Sequence, residues 1–372
     1  MNNQFSENRK KIADLMPENG VLILHSGKVI PDNNGELYPF SPERNFYYLT
    51  GLDTPNILFV LSKAGTEITE TLYLEPFDEA RAKWTGAPLS KDEAFKISGI
   101  TSIKDLDEFE PDKKKKRKNF DSLFARLRLI KSDYEIENIE KAVKITENGF
   151  RNIFAAAKPG MYEYELEAHF NFALKSAGLR PAFPTIIASG KNAAVLHYNK
   201  NNTKTENGDL ILVDAGASYN YYSADITRTF PINGRFTQRQ KELYNIVLEG
   251  QLKIIDAVKP GLPFSELNNI LLDFYARELK AAKIIKTKDD IGDYYYHNVS
   301  HMLGLLTHDV GRGSEGELKP GMVLTVEPGL YIKKEKTGIR IEDDILVTES
   351  GCRVLSSGIP KTVDEIEKNL TK

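Results

Sequence analysis

The sequence predicts an α+β protein with a mixed α/β N-terminal domain over residues 1–125. The remainder, residues 126–372, reads as two copies of one helix–helix–strand unit. Three observations predict this. Short apolar runs alternate with helical patterns up to about Phe124, and a charged tract, "DLDEFEPDKKKKRK", follows "TSIK" just before it. Beyond the tract, "AKPGMYEYELE" (Ala157–Glu167) recurs as "VKPGLPFSELN" (Val258–Asn268). Self-similarity at this spacing is the mark of a repeated structural unit. Finally, "GDLILVDAG" (Gly208–Gly216) aligns with "GMVLTVEPG" (Gly321–Gly329), which superposes Asp214 on Glu327.

In the first domain, "VLILH" (Val21–His25), "NILFVL" (Asn56–Leu61) and "TLYLEP" (Thr71–Pro76) read as buried strands. "KKKKRK" (Lys113–Lys118) reads as a solvated loop beside its acidic neighbours, since no aromatic residue interleaves it. "SDYE" (Ser132–Glu135) is a capping box opening a helix. Ile136, Ile139, Val143, Phe150 and Phe154 then recur at helical spacing until Lys158-Pro159-Gly160 stops it.

Composition narrows the function classes. The 372 residues are 41% hydrophobic and 28% charged, an ordinary balance for a globular chain. A formal net charge of −3 gives no pull toward nucleic acid or an anionic membrane. One cysteine, Cys352, placed in a late polar turn, excludes an internal disulfide framework and fits a reducing compartment. The start lacks the apolar core of a signal peptide and no segment is long enough to span a bilayer, so a cytoplasmic protein is expected.

The chemistry begins with Asp214, at the end of "LILVD", and Asp225, eleven residues later in "YSADIT". A lone carboxylate in such a strand costs several kcal/mol, about enough to unfold a marginal domain, unless a positive group compensates it. A hairpin centred between Tyr219 and Asn220 sets the two acids opposite each other, with Cβ atoms about 5 Å apart. Glu327 and Glu342 of "GIRIEDDILV" repeat the arrangement at an odd separation that again permits same-face pairing. Four converging carboxylates call for a cation: Ca²⁺ or Mg²⁺, or a divalent transition metal if a histidine joins.

Three of the six histidines, His297, His301 and His308, fall in "HNVSHMLGLLTH", and His197 follows "AAVL". His25 and His169 read as structural. One imidazole with four carboxylates suits two ions bridged by carboxylates and a hydroxide. No GxSxG, Walker loop, HExxH or CxxC competes.

Asp214, Asp225, His301, Glu327 and Glu342, in this order and context, resemble the metal ligands of the pita-bread metallopeptidases, whose fold carries a pseudo-twofold repeat. "VLHYNKNN", "DAGASYNYYSADITRTFPINGRFT" and "SHMLGLLTHDVG" look most like the Xaa-Pro aminopeptidase (aminopeptidase P) branch. "ERNFYYLTGLDTPNILFVL" and "ARAKWTGAPLS" look like phrases of its N-terminal domain. Met302 departs from the pattern, standing where that branch often has Trp. The resemblance implies release of the N-terminal residue from peptides with proline second, through attack by a metal-bridged hydroxide. It implies two divalent ions per chain, Mn²⁺ ahead of Co²⁺, Zn²⁺ or Fe²⁺, and a homo-oligomer, dimer or tetramer. Asp225, His301, Glu327 and Glu342 would complete the site, with Asp214 on the other ion. Glu327 would carry the hydroxide proton to the leaving nitrogen and His308 would donate to the tetrahedral oxygen. His197 and His297 would contact substrate, and Arg340 would sit beside the site. An Xaa-Pro dipeptidase shares the ligands. A methionine aminopeptidase would not need the N-terminal domain. A silent binding protein of this fold would be expected to lose ligands.

Overall fold

In a computed structural model of the protein, residues 4–110, 119–311 and 316–370 are described, and the chain divides into two compact units, Met1–Leu127 and Arg128–Lys372. The basic tract Lys113–Lys118 lies outside the described residues, as does Arg312–Glu315. No helix among the described residues is long and apolar enough to cross a membrane.

The first unit is built on a four-stranded sheet, Val21–His25, Leu58–Ala64, Glu67–Leu74 and Ile103–Asp105, in that order. The first three run antiparallel and the last pair is parallel, a mixed sheet. The second strand starts later than the apolar run because Asn56 adopts a left-handed φ of 60° and turns the chain. The third starts earlier because its first half, with Glu67 and Thr69, is exposed and polar. The buried Arg9 of helix Gln4–Leu15 bonds Glu70 at 2.8 Å and the Leu49 carbonyl at 2.8 Å, tying that helix to the sheet and to helix Arg44–Thr50.

In the second unit the repeat is reproduced in matching helices and matching main-chain bonds. Helices Asp133–Ala156 and Glu163–Ser176 correspond to Gln238–Ala257 and Glu266–Ala281. Gly160 and Gly261, past the two long helices, adopt φ of 88° and 84°, a region glycine enters without Cβ strain. Their N–H groups donate to Thr205 and Leu318 at 3.0 and 2.9 Å. Thr205 and Leu318 donate back to Met161 and Leu262, each at 2.8 Å. Where each helix pair crosses, a glycine lets the partner close in. A Cβ on Gly149 would lie 2.4 Å from Phe170, and one on Gly250 would lie 3.0 Å from Leu271. The long first helix has the expected capping box at Ser132 and buries Ile139, Val143, Phe150 and Phe154, with Ile136 only half-buried.

Each helix pair leads to a strand with an acid in it or directly after it, Asp214 in the first copy and Glu327 in the second. Leu210–Ala215 is central in a sheet with Ile226–Pro231 and Ile186–Ser189. Val323–Val326 pairs with Asp343–Val347, and Gly329–Ile332 continues as a ribbon with Thr337–Arg340. The first hairpin differs from the expectation. Its turn is Asn220–Tyr221, with φ of 47° and 66°, and Asp214 faces Thr227 rather than Asp225. Two successive left-handed residues make the two-residue loop that matches strand twist. Moving the turn by one residue moves the register by two, so Asp214 and Asp225 keep the same face as diagonal neighbours. The second hairpin has the expected register: Val326 pairs Asp343 and Gly329 pairs Arg340, which sets Glu327 against Glu342. Cys352 stands in a strand, Cys352–Val354, not in a turn, and its Sγ reaches the Ile255 carbonyl at 3.3 Å.

Candidate metal centre and catalytic cavity

Both hairpins deliver their acids into one cavity of about 880 Å³ in the second unit, and all nine residues singled out in the sequence line it: His197, Asp214, Asp225, His297, His301, His308, Glu327, Arg340 and Glu342. His25 and His169 lie elsewhere. Both are exposed, and the His25 Nδ1 accepts from the Gly27 N–H at 2.9 Å, a local structural bond.

Asp214 sits one residue from the end of a strand whose other side chains are apolar and buried. Its Oδ2 accepts from the Arg340 guanidinium at 2.6 Å, while its buried Oδ1 has no hydrogen-bond partner. Arg340 also donates through Nε to Thr227 at 3.1 Å and through Nη1 to the Tyr331 hydroxyl at 3.1 Å. Thr227 in turn donates to Glu342 Oε2 at 2.6 Å. One cation thus holds an acid of the first repeat directly and an acid of the second through a hydroxyl.

Asp225, His301 and Glu342 each offer a ligand atom, and among the described residues these atoms lie within 4.8 Å of one another. His301 Nδ1 lies 3.2 Å from the Met302 carbonyl, which can only accept, so this nitrogen carries the hydrogen. Nε2 is left facing Asp225 at 3.2 Å and Glu327 at 3.5 Å. This is how a second contact orients an imidazole for a metal. The donor set of four carboxylates and one oriented imidazole, with an unsatisfied carboxylate oxygen among them, fits divalent cations.

The electrostatics agree. Burial, reinforced by Asp225, Glu327 and Asp214, holds the Glu342 carboxyl well above the usual carboxylate range. Burial pushes Glu327 up to about 7, with Asp225 and Asp214 adding to it and His301 and Arg340 opposing. Asp214 rises to about 6 from burial, against the pull of Arg340. For His301 burial works downward, but the Asp225 hydrogen bond and the Glu327 charge outweigh it and raise the imidazole to about 9. Burial and mutual repulsion thus push three of the four carboxyls, Asp214, Glu327 and Glu342, toward the protonated form, a push that an added cation would oppose.

The other histidines differ in setting. His297 Nδ1 meets the Asn298 carbonyl at 2.8 Å and Nε2 meets the Tyr331 hydroxyl at 2.9 Å. Burial, then the neighbouring Arg340, lowers its imidazole to about 4. His308 is exposed, with its ring edge-on to His301 at 4.4 Å between centroids. His197 is exposed at the cavity wall.

Sequence reasoning missed Thr227 and Tyr331. The signal was alternation: Thr227 is two residues from Asp225 and Tyr331 four from Glu327, so in extended chain each shares its acid's face. It also missed Asp344, fully buried, whose Oδ2 accepts from the Asp225 N–H at 3.2 Å.

Known proteins are similar over nearly the whole chain. The model of Metallopeptidase family M24 matches residues 137–349, and that of the aminopeptidase P N-terminal domain matches residues 5–124. The chain is 32% identical to Xaa-Pro aminopeptidases of Haemophilus influenzae and Escherichia coli, covering in each case 98% of this chain and 96% of the relative. A structure of zinc-substituted E. coli aminopeptidase P in complex with product superposes with a TM-score of 0.93 at 29% identity, over 99% of this chain and 98% of that one. A structure from Bacillus anthracis, assigned as an aminopeptidase P, superposes with a TM-score of 0.92 at 42% identity, over 99% and 98%.

Proposed function

The chain belongs to metallopeptidase family M24, in its Xaa-Pro aminopeptidase branch, and from that premise we propose that it releases the N-terminal residue of peptides with proline in second position. The observation that carries the reading is the convergence of Asp214, Asp225, His301, Glu327 and Glu342 on one cavity wide enough for a peptide. The same reading assigns residues 126–372 as the catalytic domain and residues 1–125 as its N-terminal domain, in a cytoplasmic homo-oligomer.

Asp214, Asp225, His301, Glu327 and Glu342 would hold two divalent ions, Mn²⁺ first among them, with Asp214 on one ion and His301 on the other. Bound there, the ions would supply a hydroxide at neutral pH and electrophilic stabilisation of the carbonyl before proline. Arg340 fixes Asp214 directly and Glu342 through Thr227, so two acids are set before any ion arrives. Glu327, set among the other acids at the cavity wall, would take the hydroxide proton and pass it to the leaving prolyl nitrogen. His308, beside His301, donates to the oxygen that gains charge. His197 and His297 contact the substrate. Proline forms a tertiary amide with no N–H, so peptidases that need that donor fail on it and a dedicated cavity is required.

The test is hydrolysis by the Mn²⁺-loaded protein of an Xaa-Pro-Yaa tripeptide beside an Xaa-Pro dipeptide. Release of Xaa from the tripeptide supports the reading. Cleavage of the dipeptide alone makes the chain a dipeptidase, and turnover of neither with ions bound makes it a binding protein of this fold.

A further inference from the structure

Glu163 opens the helix Glu163–Ser176 and is fully buried, yet among the described residues no cationic side chain pairs with it. Five donors converge on it instead. Oε1 accepts from the Ser189 N–H at 2.7 Å, the Ser189 hydroxyl at 2.7 Å and the Asn192 amide at 3.0 Å. Oε2 accepts from the Tyr198 hydroxyl at 2.7 Å and the Thr203 N–H at 2.9 Å. A carboxylate offers about four lone-pair positions, so this one is saturated by donors alone.

All five donors belong to the segment Ser189–Thr203, which leaves the strand Ile186–Ser189, carries His197 and has no regular structure past the single turn Gly190–Ala194. Among the described residues nothing hydrogen-bonds the His197 ring, so its place in the cavity wall is inherited from its neighbours. Leu196 and Tyr198, on either side, pack against the apolar cluster of Ile186, Ala188, Leu212 and Tyr331. The Tyr198 hydroxyl, beyond that packing, is fixed by Glu163.

The internal repeat shows that the fold does not ask for this acid. The position matching Glu163 is Phe264, and the two share the main-chain bond: Glu163 N–H to Thr203 and Phe264 N–H to Gly316, each at 3.0 Å. The backbone scaffold is common to both copies. The carboxylate is an addition on the side where a loop carries His197.

We propose that Glu163 is the positioning residue for His197 and thereby sets productive binding of the peptide. The proposal rests on the place given to His197 in the function above. Glu163→Gln keeps the volume but turns one acceptor into a donor, which must face donors of the loop. Tyr198→Phe removes a single link and leaves the buried acid bonded, so it serves as the mild variant if Glu163→Gln folds poorly. Hydrogen exchange in residues 190–203 is expected to accelerate at least about tenfold in Glu163→Gln, with residues 297–308 unchanged. The kcat/KM for an Xaa-Pro-Yaa tripeptide should fall at least about tenfold, mostly through KM, and Tyr198→Phe should shift both readouts less in the same direction. In a His197→Ala background, Glu163→Gln should cost nothing further, because a residue acting through another loses its effect when that one is gone.

Unchanged exchange in residues 190–203, or equal losses in the presence and absence of His197, overturns the proposal. Full activity of His197→Ala would instead show that the histidine was wrongly placed in the function, and the proposal falls with it. An impaired His197→Ala beside an unimpaired Glu163→Gln overturns the proposal and leaves the function standing.

Discussion

Arg340 and Asp214 meet at 2.6 Å across the two halves of the repeat, guanidinium from the second hairpin and carboxylate from the first. Both side chains are largely buried, at 5% and 13% exposure, so the pair is shielded from water. Arg340 and His301 offer at most two positive charges against the four carboxylates Asp214, Asp225, Glu327 and Glu342. The cluster is built short of positive charge, and that shortage is what divalent ions would fill.

Replacing Arg340 with Met therefore weakens the metal-free protein more than the metal-loaded one. Removing one partner of a buried pair costs about 3–5 kcal/mol, and bound ions would offset much of the charge left behind. Melting temperatures with and without Mn²⁺ measure this. Equal losses in both states would show that Arg340 acts by packing rather than by charge.

The cluster should take up two divalent ions per chain. Metal analysis after loading and desalting counts them, and Asp225→Asn together with Glu342→Gln should lower the count while the circular dichroism of the fold is kept. A folded wild-type protein that retains no metal would remove the two-ion reading.

Glu327→Gln keeps the size of the side chain but removes a charge and the proposed proton carrier, so turnover is expected to fall at least about a hundredfold. The fold survives, because Glu327 lies among like charges whose crowding the substitution relieves. Turnover near the wild-type level would take Glu327 out of the mechanism.

Local chemistry made much of this legible in the sequence. The capping box at Ser132, the glycines after the two long helices and the match of Asp214 with Glu327 each depend on residues close in the chain. The register of the first hairpin was not legible, since its turn relies on Tyr221 in a left-handed conformation that tyrosine rarely signals. Thr227 was hidden for another reason. A buried threonine in a strand looks like packing until Glu342, from more than a hundred residues away, is found on its hydroxyl.

Asp343 makes stability depend on acid. Burial works to raise its carboxyl, but Arg228 and Lys361, each at 2.7 Å, with the Ser356 hydroxyl at 2.6 Å, outweigh burial and hold it at about 2. A carboxyl whose folded value lies below its unfolded one stabilises the fold above the unfolded value, and loses that contribution as pH falls through the folded one. The contribution is about 2 kcal/mol, present above about pH 4 and lost toward pH 2. Asp343→Asn should thus be clearly less stable than wild type at pH 7, with the gap narrowing between pH 4 and pH 2. Denaturant midpoints across that range test it, and a gap independent of pH would assign the loss to packing.

The three histidines outside the proposed ligand set should separate by readout. His308→Ala is expected to keep its metal and its melting temperature while turnover drops, because a donor to a developing oxyanion matters only as charge appears, and losing one costs about 3 kcal/mol. His197→Ala, at the exposed wall, should act mainly on KM. His297 is held at both nitrogens, by the Asn298 carbonyl and the Tyr331 hydroxyl, and Tyr331 also accepts from Arg340 at 3.1 Å. Its loss should therefore reach beyond substrate contact, and Tyr331→Phe should reproduce part of it by freeing the same ring nitrogen. Bound metal, melting temperature and tripeptide hydrolysis on the four variants distinguish these outcomes. A stable, metal-replete His308→Ala enzyme with full turnover would end the oxyanion role.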